Sequence, residues 1–331
     1  MLPHQLVRSE SVNIQPKVSV ALPVYNGERF LRQAIESILG QSCADFELLI
    51  CDNASTDCTA DISMEYTRRD ARVRYYRNAR NLGAAKNFNR GFELAEGEYF
   101  KWIAADDVCE PEFLEQCLLA LEQAPTAALA YPRTKWIDET GAVVDVDEGA
   151  VRSSWPDDPV RRFSTVVHDM LEGKANGQLI GAGVAPVYIF GLMRTSALRQ
   201  TRLLGSYLAA DLNLLAELSL TGTFVQVPVY LNLLRRHPGS LSHNVKHGMS
   251  QPIFSFWNPG VAGALPKIMA RGQSRCEYFV SVWHSDLHAV AKVESAAQIV
   301  SPVLRSCCRW AKSTLCMTTA QKRGRPTTES R

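Results

Sequence analysis

The sequence lacks the features by which several protein classes are recognised. Its 36 Lys and Arg residues against 34 Asp and Glu residues leave a formal charge of +2, so it has no basic excess for nucleic-acid binding. The nine cysteines contain no C-x-x-C pair, which argues against a zinc finger and favours reduced thiols in a cytoplasmic protein. No apolar run opens the chain, so we expect no secretory signal.

The sequence does contain a regular alternation of apolar strands and amphipathic helices. Short apolar runs predict strands at residues 17–22, 46–51, 73–76, 98–104 and 127–131. Helical spacing of apolar side chains fills the intervals between them. This order predicts an α/β fold with a doubly wound, mostly parallel sheet and right-handed crossovers.

After residue 131 the alternation stops. The sequence Asp138-Glu139-Thr140-Gly141 predicts a hairpin turn, and a helix at about 208–220 precedes a strand at 223–227. The predicted organisation is a flexible leader (1–16), a first α/β half (17–138), a smaller α+β half (139–244), and a helical C-terminal extension with a disordered end (245–331).

Polar side chains follow the predicted strands where open α/β sheets bind ligands. The sequences PVYNGE (23–28), DNASTD (52–57) and ADD (105–107) stand at three strand ends. Neither G-x-G-x-x-G nor the phosphate loop G-x-x-x-x-G-K-S/T occurs there. Adjacent carboxylates at a strand end suit Mg²⁺ or Mn²⁺, which prefer oxygen ligands and bind together with substrate phosphates.

Asp211 is a separate candidate. A helical wheel places it between Leu215 and Leu218, while Asn213 and Glu217 project to the other side. A carboxylate among leucines loses hydration, so its pKa should rise toward that of a useful general base. The alternative interpretation is an ordinary acidic residue at a helix start.

The segment 17–138 resembles the family 2 glycosyltransferases, which bind nucleotide sugars on the GT-A fold. The resemblance rests on PVYNGERF, LLICDNASTD, NARNLGAAKNFNRG and GEYFKWIAADD in this order, with a weaker likeness from 193 to 242. It implies an inverting transfer from a nucleotide-diphospho-sugar, with UDP- or dTDP-sugars favoured. The implied acceptor is a hydroxyl of a growing surface glycan or of a lipid-linked glycan.

The resemblance also implies roles for residues in the first two strand-end loops. Tyr25 would stack on the nucleotide base, with Pro23, Asn26 and Glu28 in the same nucleotide-sugar site. Asp52 would accept the ring N–H of uracil or thymine, as an acceptor-only carboxylate can.

By the same resemblance, Asp106 would hold Mn²⁺ or Mg²⁺ across the diphosphate, with Asp107 and His237 as further ligands. Arg236 would contact the phosphates, because arginine suits bidentate contact with phosphate oxygens. The sequence departs from the family at Ala104, which replaces the first Asp of the D-x-D motif.

Asp211 would be the catalytic base, although Ala210 stands where the family has a Glu before this Asp. Two other functions stay open. A non-catalytic glycan-assembly partner that retains nucleotide binding is favoured by Ala104 and Ala210. A sugar nucleotidyltransferase would need a Gly-rich, Arg-containing loop after the first strand, and PVYNGERF lacks one.

Each candidate also has a structural alternative. Asp52 could bond its own turn, Asp106 and Asp107 could lie near a helix N-terminus, and the basic segment 235–237 could be a solvated edge. We expect a cytoplasmic location, at the inner face of the cell membrane, and no nucleic-acid partner. The basic stretch 303–322 could add a peripheral membrane contact, although a plain terminal helix is the simpler interpretation.

Overall fold

The computed structural model describes most of the chain. The described residues are 15–148, 154–172, 174–175, 178–179, 187–207, 209–240 and 265–305. Most of the predicted leader, the end predicted to be disordered, and nearly all of the basic stretch 303–322 lie outside the described residues.

Strands and helices alternate through the first half, as the apolar pattern predicts. The elements up to residue 146 are β1 (Val18–Val24), α1 (Leu31–Leu39), β2 (Phe46–Asp52), α2 (Thr59–Arg69), β3 (Val73–Arg77), α3 (Ala84–Glu93), β4 (Tyr99–Trp102), β5 (Val108–Cys109), α4 (Phe113–Gln123), β6 (Ala127–Ile137) and β7 (Val143–Val146). The later described elements are α5 (Pro159–Glu172), β8 (Lys174–Ala175), β9 (Gln178–Leu179), β10 (Leu192–Arg194), α6 (Thr195–Leu198), α7 (Ala210–Thr221), β11 (Thr223–Arg235), α8 (Leu265–His284) and α9 (289–305).

The first half of the main sheet is parallel. The strand order is β3-β2-β1-β4-β10-β6-β11-β5, with β7 paired to β6, and the pairs among β3, β2, β1 and β4 are parallel. Every residue of β1 and β2 is buried, because helices cover both faces of this half. That burial explains the continuous apolar runs VSVALPV and FELLICD, and it confirms the predicted α/β fold.

The second half of the sheet is mixed. β10 lies antiparallel between β4 and β6, whereas β6 and β11 are parallel. The short strand β5 pairs antiparallel with β11, through Leu233 opposite Val108. Because β5 follows the loop after β4, this pairing holds that loop against the end of β11. The insertion of β10 is not predicted by the sequence, since a three-residue strand carries no periodic signal.

The predicted hairpin is confirmed, while two boundaries differ. Ile137 pairs with Val143, and Gly141 adopts φ +91° in the turn. β6 runs on to Ile137 because it pairs with β11 along its length. Asn26 is of a residue type that favours a helix start, but α1 begins only at Leu31, since Asn26 has φ +52° and lies in a loop.

The helix α7 is buried on both sides. Leu215 and Leu218 have no exposed surface, as expected. Asn213 and Glu217 point away from the leucines, but both are also buried, because α8 covers them. The predicted placement of these two residues on the other side of the helix is confirmed, and their burial is due to the contact with α8. The C-terminal extension closes the polar side of α7.

The helices α8 and α9 form the described part of the predicted helical extension. Within the residues described, no helix combines the length and the hydropathy needed to cross a bilayer. The described cysteines are free thiols, in line with the reduced state that the sequence suggests: Cys43, Cys51, Cys58, Cys109, Cys117 and Cys276.

Candidate active site

The loops after β1 and β2 are bonded together at the carboxyl edge of the sheet. Asn26 Oδ1 accepts a hydrogen bond from Thr56 N (2.8 Å), and Asn26 N donates to Ser55 Oγ (2.9 Å). Tyr25, the preceding residue, keeps 50% of its surface exposed. An exposed ring on a fixed backbone is a suitable platform for a flat ligand. Pro23 is buried within β1, two residues before Tyr25.

Glu28 has a local structural partner. Its Oε2 accepts a hydrogen bond from Cys58 N (2.9 Å), directly before the first turn of α2, and its N–H donates to Asp57 Oδ2 (3.0 Å). Negative charge at a helix N-terminus is stabilised by the unpaired N–H groups there. Glu28 therefore joins the two loops, and its contact with a nucleotide sugar stays a prediction.

Asp52 is fully buried, with partners on both carboxylate oxygens. Oδ1 accepts Ser55 N (2.8 Å), while Oδ2 accepts Tyr75 Oη and Arg77 Nη1 (both 2.7 Å). The bond from Ser55 N closes the local turn that the sequence offers as the structural alternative for Asp52. The predicted bond to a base stays a prediction, because no surface of this carboxylate faces solvent.

Sequence reasoning missed Tyr75 and Arg77. The two residues are two positions apart on β3, so they share one face of the strand. β3 pairs parallel with β2 and places Arg77 opposite Asp52. That period of two was a usable signal once the neighbouring strand was known. Arg77 also donates to Ser55 O (2.6 Å), so a side chain from a third strand fixes the loop after β2.

The loop after β4 approaches the loop after β1. A Cβ built on Gly27 would lie 3.4 Å from the Cβ of Ala105, which shows how close the two backbones come. Asp106 Oδ2 lies 3.0 Å from His237 Nε2, and the side chains of this pair stay partly exposed, at 30% and 15%. The ring of His237 packs on that of Phe30, with centroids 5.0 Å apart. The fold thus joins Asp106 to His237, as predicted.

Asp107 is placed differently from its neighbour. Its carboxylate is buried, and Oδ1 accepts the backbone N–H of Arg235 (2.8 Å). Burial, followed by the nearby charge of Asp106, raises the pKa of Asp107 well above its usual range. A buried carboxylate that anchors a strand end is a poor metal ligand. This geometry disagrees with the predicted ligand role of Asp107 and assigns it to holding the loop.

Arg235 and Arg236 point to opposite sides of the strand end. Arg235 is buried and donates to Asp106 O (2.8 Å), Asp138 O (2.7 Å) and Gln33 Oε1 (2.7 Å). Arg236 instead bonds an acidic side chain of β7 and lies over the ring of Trp136. Successive strand residues face opposite ways, so Arg235 and not Arg236 reaches the acidic loop. The predicted phosphate contact of Arg236 does not fit this placement.

The predicted three-ligand metal set is reduced to a pair. Among the described residues, no group of three or more His, Cys, Asp and Glu side chains could hold a metal ion. Asp106 and His237 still fit a divalent cation, because a carboxylate oxygen and an imidazole nitrogen lie 3.0 Å apart on partly exposed side chains. Mg²⁺ and Mn²⁺ can bind through so few protein ligands when substrate phosphates and water complete the shell.

Asp211 lies in the first turn of α7 and is partly exposed. Burial by the surrounding protein raises the pKa of Asp211 to about 6, which confirms the predicted direction. Its position at a helix start also matches the structural alternative. No hydrogen bond or ion pair joins Asp211 to Asp106 or His237 in the part of the chain that the structure describes.

Sequence reasoning also overlooked a lysine on β4, the strand that precedes the loop with Asp106. Lys101 of β4 is fully buried, donates from Nζ to Phe190 O, and lies 3.9 Å from the centroid of the Phe113 ring. Burial lowers the pKa of this amine. A single lysine in an apolar strand gives no sequence signal that distinguishes it from an exposed one.

We expect alanine substitution of the two neighbouring arginines to have very different effects on stability. Arg235→Ala should lower the free energy of unfolding by about 3 kcal/mol, because it removes a buried guanidinium together with its three hydrogen bonds. Arg236→Ala should cost less than about 1 kcal/mol, since its ion pair is partly exposed. Urea unfolding of both variants measures this difference. Equal losses would contradict the assignment of Arg235 as the buried tie.

Comparison with known proteins supports the resemblance. Residues 19–166 match the family model for glycosyl transferase family 2. EpsH of Bacillus subtilis (strain 168), which is named as a glycosyltransferase, is 29% identical over 163 residues, or 49% of this chain and 45% of EpsH. The chondroitin synthase of Escherichia coli is 31% identical over 138 residues, or 42% of this chain and 20% of that protein. The chain therefore spans less than half the length of these relatives.

Solved structures share the fold. The crystal structure of S. aureus TarS 1-349 in complex with UDP-GlcNAc has a TM-score of 0.60 at 16% identity, and the match covers 86% of this chain and 72% of TarS 1-349. TarS 1-349 alone gives a TM-score of 0.59. Identity this low establishes the GT-A type of fold and nothing about substrates. Residues 19–166 of this chain are therefore similar to glycosyl transferase family 2, and the fold is the one that the TarS structures share.

Proposed function

We propose that this protein is an inverting glycosyltransferase that moves a sugar from a nucleoside-diphosphate sugar to a hydroxyl of a glycan acceptor. The observation that carries the proposal is the meeting of two strand-end loops at one sheet edge. One loop offers the exposed ring of Tyr25, and the other offers Asp106, which contacts His237 just beyond the end of β11. A nucleoside-diphosphate sugar requires a surface on which the nucleotide base stacks and, beside it, a site for the metal-bound diphosphate.

In the proposed mechanism, Tyr25 stacks on the base while Asn26 and Asp52 keep the two loops in place. Asp106 and His237 would hold Mn²⁺ or Mg²⁺, which supplies positive charge against the developing charge of the leaving diphosphate. Asp211 removes the proton from the acceptor hydroxyl. A pKa of about 6 keeps this carboxylate mostly ionised at neutral pH and still basic enough for the transfer.

The donor and acceptor classes are further proposals. A neighbour of the same fold, S. aureus TarS, is known in complex with UDP-GlcNAc and with UDP, which supports UDP-sugars as the first donors to test and dTDP-sugars as the second. The chondroitin synthase relative is named for the glycan that it makes, which supports a growing glycan as acceptor, and we propose a surface glycan or a lipid-linked glycan. We place this reaction in the cytoplasm, at the inner face of the cell membrane.

The test is nucleoside-diphosphate release from a panel of UDP-, dTDP- and GDP-sugars, with Mn²⁺ or with a chelator. Slow hydrolysis of the donor does not require the natural acceptor, so release from one donor that stops with chelator is the expected result. Donor binding without release, with or without candidate glycans, would favour the non-catalytic partner to which Ala104 and Ala210 point. Absence of both binding and release would overturn the proposal.

A further inference from the structure

The first turn of α7 begins from an unfavourable backbone conformation. Ala209, directly before the helix, has φ +59°, and the left-handed region costs an L-residue roughly 1–2 kcal/mol. Its carbonyl accepts Leu212 N (3.2 Å) and Asn213 N (3.4 Å). Asp211 lies within this turn. A strained turn keeps its geometry only when the surrounding structure holds it.

The side chain of Asn213 connects this turn to α8. The residue is 1% exposed, and Nδ2 donates to Ser274 O at 3.1 Å and lies 3.5 Å from Ala209 O. Ser274 belongs to α8, 61 positions further along the chain. One buried amide therefore touches both the strained residue before the helix and the backbone of the C-terminal extension.

A second connection lies one helical turn further along the same seam. Ser281 Oγ donates to Glu217 Oε1 (2.9 Å). Arg202 Nε donates to the same oxygen (2.7 Å), and its Nη1 donates to Glu277 Oε2 (2.8 Å). Positions 213 and 217 on α7 are four apart, so they share one face. α8 is thus bonded to α7 at two separate levels, only one of which is next to Asp211.

Between these two levels, α8 places one aromatic side chain near Asp211. Tyr278 is 1% exposed. Burial raises the pKa of this phenol, and the nearby charge of Asp211 raises it further. Tyr207, from the loop before α7, is affected by the same carboxylate. Charged side chains act on the same two rings: Arg202, Glu217 and Glu277 on Tyr207, and Arg275 on Tyr278. The surroundings of Asp211 therefore include residues of α8 as well as the loop before α7.

We propose that α8 is a part of the active site and that Asn213 is its positioning residue, which holds the first turn of α7, and with it Asp211, against the C-terminal extension. The inference rests on the proposed transferase function, with Asp211 as base. It adds that the region beyond residue 264 is needed for catalysis, although it lies outside the residues that match the family model. Ser281 stabilises the same helix pair at a level that does not touch the turn.

The experiment compares Asn213→Leu with Ser281→Ala in donor turnover, each with a melting curve and a pH profile. Asn213→Leu removes the amide at similar volume, and we expect kcat to fall about 10- to 100-fold with donor KM within about twofold, because small displacements of a reacting group are costly. The acidic limb of its profile should move to lower pH, since water reaches Asp211. Ser281→Ala should lower the melting temperature and leave kcat and the profile unchanged.

The controls separate the two proposals. If the leucine variant fails to fold, Asn213→Ser is the substitute test, because the smaller side chain leaves room for a water molecule. We expect this variant to lower kcat as well. Similar kcat losses in Asn213→Leu and Ser281→Ala, or no loss in either Asn213 variant, would overturn the positioning role. A wild-type protein that turns over no donor would instead overturn the transferase function itself.

Discussion

Replacing Asp211 by asparagine is expected to lower kcat by about 10³-fold, the middle of the range that a general base contributes. Asparagine keeps the size and the hydrogen-bond acceptor of the side chain but cannot take the acceptor proton. Donor KM should change little, because Asp211 has no hydrogen bond or ion pair with Asp106 or His237 in the described residues. Steady-state kinetics, with the donor that the release assay identifies, measure both constants.

The pH dependence of the wild type tests the same residue. Asp211 acts only when ionised, and its pKa is about 6. Below that value kcat/KM should fall tenfold for each pH unit, and above it the curve should become level. An ordinary surface aspartate would put this limb near pH 4. An acidic limb near 4 would show that the titration of Asp211 does not control the rate.

Asp61→Asn is the matched control for Asp211→Asn. Asp61 lies in the first turn of α2 and is exposed, so the change tests what a helix-start carboxylate contributes by itself. We expect a loss of less than about 1 kcal/mol in stability and no change in kcat. If Asp211→Asn retains the wild-type rate and only its stability changes, Asp211 is merely a helix-start residue.

Replacing Asp106 by alanine is expected to abolish the metal dependence of turnover and to lower kcat by about 10²–10³-fold. The pair with His237 loses its carboxylate, and charge on the departing diphosphate loses its main stabilising partner. A titration of rate against Mn²⁺ concentration measures the effect. Saturation should move to much higher metal concentration or disappear.

Glu65→Ala is the control for Asp106→Ala. Glu65 is a partly exposed carboxylate on α2 that pairs with Arg32 and Arg69, so its removal changes the net charge equally. Its metal titration should match that of the wild type. If Asp106→Ala keeps metal-stimulated turnover, the cation binds elsewhere, and the assignment of the Asp106–His237 pair is wrong.

The order of elements in the parallel half and the loops that carry the candidate site can be predicted from local sequence patterns. β1 and β2 could be predicted because each is a short apolar run whose burial on both faces follows from composition alone. Tyr25, Asp52 and Asp106 then lie at the carboxyl ends of β1, β2 and β4. The direction of the pKa shift of Asp211 could also be predicted from the leucines on its helix, whereas the cover from α8 could not.

Only the tertiary structure decided which of the polar residues face one another. Asp107 is buried because a strand end 128 positions away donates to its carboxylate, and the same pairing turns Arg235 inward and Arg236 outward. The cover that α8 places over Asn213 likewise joins segments 61 positions apart. Local patterns fix the conformation of each segment through its own periodicity. Contacts between distant segments depend on strand order and helix packing, which no single segment encodes.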